Sequence, residues 1–89
     1  MANLYLIDRP FGGNGLNLAL GDAGAIVVLI QDGVYLDPTP ILQAGRTVVA
    51  VKDDVAKRGL ESRVAPAVRC IEYGEVVDLI LAHKVVNFA

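Results

Sequence analysis

Tryptophan is missing from the 89 residues, and cysteine, histidine and methionine occur once each. The single cysteine, Cys70, excludes an internal disulfide, and the single histidine, His83, leaves no His/Cys set of the kind that holds zinc. Charge of one sign is scarce too: ten acidic against eight basic residues give a formal charge of -2, and Lys57-Arg58 is the densest basic stretch. A nucleic-acid-binding surface is therefore not expected. No apolar run approaches the ~20 residues of a membrane span, and the opening MANLYLIDRP has neither the charged head nor the apolar core of a signal peptide. The expectation is a cytoplasmic protein with no membrane partner, no direct nucleic acid, no metal and no cofactor.

What the chain does have is apolar surface, with 54% of its residues hydrophobic. That suffices for one compact domain over residues 1–89 and not for two. A domain this small hides so much apolar surface poorly by itself, so part of it is expected to be covered by another subunit, in a homo- or hetero-oligomer.

Four apolar, β-branched runs recur: Asn3 to Ile7, Ala25 to Ile30, Thr47 to Val51 and Val68 to Tyr73. The second and third are apolar on both faces, as strands covered by helices on each side must be. Roughly 14 to 17 residues separate successive runs, enough for a helical crossover and too many for a tight hairpin. The pattern is βαβαβαβα, an α/β three-layer sandwich around a small, mainly parallel, four-stranded sheet with right-handed crossovers.

The connections carry their own signals. Gly12-Gly13-Asn14-Gly15 reads as a flexible turn before a short helix from Leu16 to Leu20. Val34-Tyr35-Leu36 starts a second helix that Pro38 and Pro40 should break or confine to its first turn. Asp53 or Asp54 can cap a third, which carries Lys57 and Arg58 late and stops at Gly59. The fourth, from about Gly74 to Lys84, is apolar over more than one stripe, so it packs on the sheet and also touches something else. The tail Val85 to Ala89 reads as a docking segment, whose deletion should weaken association more than folding.

Few residues offer chemistry. Gly12 to Gly15 followed by Asp32 imitates a dinucleotide fingerprint, a glycine turn for pyrophosphate and an acid for ribose, but Leu18 occupies the third glycine's place. Cys70 alternates with Val68 and Glu72 on one side of its strand, opposite Arg69, and reads as a buried small hydrophobe rather than a reactive thiolate. His83 suits a helix C-terminus and has no nucleophile near it in sequence. Asp53-Asp54 is better explained as a cap with a first-turn acid than as a metal pair. Asp8-Arg9-Pro10 falls where open α/β sheets bind ligands, yet it is also ordinary loop chemistry.

Taken together, IVVLIQDGV, VVAVKDDVAKRGL and CIEYGEVVDLI resemble the DsrH/TusB family of sulfur-relay subunits. The carrying residues are Gln31-Asp32-Gly33-Val34, Asp54 with Ala56 to Gly59, and Tyr73, over roughly residues 25 to 82. The resemblance implies a DsrE-like fold and a place beside DsrE/TusD-like and DsrF/TusC-like subunits in a sulfurtransferase complex. Such complexes pass persulfide sulfur between cysteines toward tRNA wobble-uridine 2-thiolation or toward sulfur oxidation. In that family the QDGV corner looks structural, a cap and turn rather than a ribose site.

Some DsrH members carry a cysteine in the first helical region, whereas Gly15 to Asp22 contains none. Relay requires an attackable sulfur, so the reading is an assembly subunit without a catalytic residue of its own. Two alternatives stand beside it: Cys70 as a persulfide carrier, and a small nucleotide or anion binder using Gly12 to Gly15.

Overall fold

The computed structural model describes residues 3–9 and 12–89. Five strands form one sheet: β1 (Asn3–Ile7), β2 (Ile26–Leu29), β3 (Thr47–Val51), β4 (Arg69–Ile71) and β5 (Lys84–Phe88). Their spatial order is β4-β3-β2-β1-β5, and every neighbouring pair is parallel. The helices are α1 (Gly12–Leu20), α2 (Thr39–Gln43), α3 (Lys52–Lys57) and α4 (Tyr73–Ala82), with a 3-10 helix over Gln31–Tyr35.

The sheet has five strands where the sequence suggests four, because Val85 to Phe88 is a strand and not a free tail. His83 ends α4 in an extended conformation, with no Gly or Pro to mark the change. The chain therefore passes from helix into β5, which pairs with β1 from Asn3↔Lys84 to Ile7↔Phe88.

Alternation along the strands builds two cores. Tyr5, Ile7, Val27, Leu29, Val48 and Ala50 face α1, α2 and α3, which contribute Ala19, Ile41 and Val55. Leu4, Val28, Val49, Val51 and Ile71 face α4, which contributes Val76. Three helices thus cover one face, while a single helix spans the other on its way from β4 at one edge to β5 at the opposite edge.

The glycine run is helix, not turn. Gly12 and Gly15 are buried in the first turns of α1. A Cβ at Gly12 would collide with Leu36 and Ile7, and one at Gly15 with Ile7 and the Phe88 ring. These glycines let α1 lie close on β1 and β5, which explains them better than a phosphate cradle does. Val34 and Tyr35 close a 3-10 helix that stops before Pro38, in line with the expected break, and a new helix begins beyond it. Pro40 occupies the first turn of α2, where its missing N–H costs nothing, so it helps start the helix rather than break it.

Helix ends follow the expected chemistry more closely. At Gly59, with φ +64, the N–H groups of Gly59 and Leu60 return to the carbonyls of Ala56 and Val55, a Schellman closure. The same pattern closes α2 at Gly45, with φ +81, through Leu42 and Ile41.

Gly33 is the least replaceable of the glycines. Its Cβ would overlap the main-chain carbonyl of Ile7 and come within 3.1 Å of Asp8 Cα, and backbone cannot move aside as a side chain can. Gly33→Ala is expected to destabilise the protein by about 3 kcal/mol, the upper end of overpacking costs. A urea midpoint unchanged from the parent would refute this.

Candidate functional site

The exits of β1 to β4 lie together at the carboxyl edge of the parallel sheet, where open α/β sheets place their sites. The 3-10 helix after β2 is pinned from both sides. Asp8, at the exit of β1, accepts a hydrogen bond from the Gly33 N–H at 3.1 Å, and the Ile30 N–H donates to the Ile7 carbonyl at 3.0 Å. From the other side, Asp54 accepts the Gln31 N–H at 2.8 Å. Gln31 is the only non-glycine residue with positive φ among the described residues, +49. That conformation persists only where its surroundings hold it, and Asp54 supplies the hold.

Asp54 is the buried centre of the cluster, 4% exposed. The sequence suggests a cap at Asp53 or Asp54, but α3 starts at Lys52 after Val51 and has no side-chain cap. The Asp54 carboxylate reaches across the sheet edge instead. Tyr73, the first residue of α4, donates its hydroxyl to Asp54 at 2.6 Å. Arg58, one turn on, lies 3.6 Å from the same carboxylate, donates to the Asp54 carbonyl at 3.1 Å and pairs with exposed Asp32 at 2.9 Å.

The electrostatics follow from these contacts. The hydrogen bond to Asp54, then burial, pushes the Tyr73 hydroxyl up to about 12. The hydrogen bond to Asp32 holds the Arg58 guanidinium above its ordinary value against the opposing effect of burial. Tyr73 keeps its proton and Arg58 its charge at neutral pH, so the cluster keeps both donors. What it can do is hold the QDGV corner, α3 and the start of α4 in one geometry.

The other residues singled out in the sequence stand at the margin of this cluster or apart from it. Asp32 is paired with Arg58 at the rim of the corner. Asp8 holds the backbone, and Arg9 lies 5.1 Å over the Tyr35 ring; Pro10 falls outside the described residues. His83 Nδ1 donates to the Leu79 carbonyl at 2.8 Å, which closes the last turn of α4. Among the described residues, no group of three or more His, Cys, Asp or Glu side chains is arranged to hold a metal.

Cys70 corrects its own expectation. It is exposed, not buried, because β4 is an edge strand with a neighbour on one side only. The register Leu29↔Ala50↔Cys70 sets it at the outer end of a row on the face of α1 to α3.

The sequence names Asp54 and Tyr73 but does not bring them together. Their juxtaposition is long-range, and the only local trace is that both fall in the segments that carry the family resemblance.

Comparison with known proteins bears on the family and the fold. The family described as DsrH like protein matches residues 14–86. Protein TusB of Photorhabdus laumondii is 34% identical over 74 residues, covering 74% of this chain and 73% of that protein. Protein TusB of Buchnera aphidicola is 32% identical over 60 residues, covering 67% of this chain and 61% of that protein. The crystal structure of the ychN protein from E. coli superposes with a TM-score of 0.75 over 98% of this chain and 97% of its own, at 18% identity. At that identity the likeness shows the fold alone, the DsrE-like α/β arrangement.

Proposed function

The chain belongs to the DsrH family, and from that premise we propose that it is an assembly subunit of a cytoplasmic sulfur-relay complex. It would be seated beside DsrE/TusD-like and DsrF/TusC-like subunits. The TusB relatives favour a relay that ends in 2-thiouridine at the tRNA wobble position over one that serves sulfur oxidation. No helix among the described residues is long and apolar enough to cross a membrane.

The observation that carries the reading is the outer face of α4. Tyr73, Val77 and Leu81, spaced four apart, are 44%, 54% and 81% exposed. Residues at i, i+4 and i+8 form one stripe along a helix. A continuous apolar ridge on the only helix of its layer among the described residues is the kind of surface a partner covers. Beside it, Glu75 is paired with Arg69 at 2.9 Å, which leaves Asp78 as the acid of α4 that a basic group on a partner could meet.

The test is reconstitution with DsrE-like and DsrF-like partner subunits, followed by native mass spectrometry. The parent is expected to enter a defined complex. Val77→Lys with Leu81→Lys should weaken its entry by at least about tenfold, since two interface anchors are lost and two charges desolvated, while thermal stability stays near the parent's. A chain that remains monomeric beside both partners would overturn the reading.

A second reading rests on the exposure of Cys70. If it were a persulfide carrier, its thiol would take one sulfur from a persulfide donor in the folded protein, and Cys70→Ser would not. Intact-mass measurement separates the two readings, because a scaffold gains no sulfur.

A further inference from the structure

On the face opposite α4, a cleft of about 290 Å³ opens between the 3-10 helix and the segment that joins α3 to β4. Leu29, Ala50 and Val55 lie in its lining as buried members of the core beneath α1 to α3. Half-buried Leu36 and Val64 belong to the two segments on either side. A mostly apolar concavity with a few polar groups has the composition of a small-molecule site, and this one is near the lower end of their ~300–1,000 Å³ range.

Two charges decide what kind of molecule fits. Asp37 and Arg63 both line the cleft. One oxygen of Asp37 already receives two bonds from Thr39, from its N–H at 2.9 Å and its hydroxyl at 2.6 Å. Arg63 is exposed and makes no ion pair among the described residues. Asp37 keeps its charge but has one oxygen taken by Thr39, whereas every side-chain donor of Arg63 is open among the described residues, so Arg63 is the stronger contact for a ligand head group.

We propose that this cleft binds a small amphiphilic carboxylate, its apolar body over Leu29, Ala50 and Val55 and its head group on Arg63. The guanidinium presents a donor fork that matches a carboxylate. The site is independent of α4, so it stands or falls apart from the assembly reading.

The probe is octanoate, titrated into the full chain and followed by amide NMR beside octanol and octylammonium. Octanoate should bind saturably at one site and shift Leu36, Ala50 and Val64. Arg63→Gln should weaken octanoate by roughly tenfold and leave octanol unchanged. Val64→Trp, placed on the connecting segment to fill the cleft, should abolish both. If it fails to fold, the exposed Arg63→Gln decides alone. Octanol or octylammonium binding as tightly as octanoate, no saturable shift, or shifts centred on Val77 and Leu81 would each overturn the proposal.

Discussion

Removing residues 85–89 should abolish cooperative folding, not merely weaken association. The segment is β5, and its loss strips the hydrogen-bond ladder from one side of β1. It also removes Val85 from the core under α4, and Val86 and Phe88 from the core under α1. The Phe88 ring sits where Gly15 brings the α1 backbone down, so that contact is lost as well. Partly buried valine and phenylalanine side chains contribute on the order of 1–2 kcal/mol each, and the ladder adds about 0.5–1.5 kcal/mol per bond. The sum matches the whole stability of a chain this size, roughly 5–10 kcal/mol. Near-UV circular dichroism on heating should show no sigmoidal transition in the shortened chain. A transition within a few degrees of the parent, with only the oligomer mass changed, would restore the docking-tail expectation.

Asp54→Ala is expected to cost about 3–5 kcal/mol, since each hydrogen bond to a buried charged group is worth roughly 1.5–3 kcal/mol and two are lost. Gln31 loses the acceptor that holds its positive φ, and Tyr73 loses its hydroxyl partner. Arg58 keeps Asp32, which limits the damage on that side. The pH response identifies the mechanism. Tyr73 has a folded value of about 12 against an ordinary 10, so its neutral form is favoured by folding. Its contribution is complete below pH 10 and fades as pH rises toward 12. Tyr5, raised chiefly by burial and then by its bond to Asp22, adds to the same alkaline loss. The urea midpoint of the parent should therefore fall between pH 10 and 12, and Asp54→Ala should fall less steeply while starting lower. Equal slopes in the two proteins would show that the Tyr73 bond contributes nothing.

Periodicity and spacing make the first four strands legible, and the second and third most of all, because β-branched runs apolar on both faces have few uses other than a strand covered on each side. Gly59 is equally legible as a stop, since a left-handed residue after a helix is a local demand that glycine answers locally. The misreadings share a different cause. Gly12 and Gly15 look like turn residues until Ile7, Leu36 and Phe88 are brought against them. Val85 to Phe88 looks like a tail until β1 offers it a partner. Asp54 looks like a cap until Gln31 and Tyr73 arrive from distant segments. In each case the residue is chosen by a neighbour far along the chain, and local pattern is blind to that choice.

The pairing of β1 with β5 also bears on how the protein is made. Leu4 leaves the ribosome well before its partner Val85, with the other three strands made in between. Until then β1 presents one unpaired side, flanked by Leu4, Tyr5 and Ile7, which are buried in the finished fold. Such an edge invites pairing with other chains, and contacts so distant in sequence form slowly. Folding of the sheet therefore waits on a segment made long after its first strand, and the interval before residues 84–88 emerge is when this protein is most exposed to aggregation.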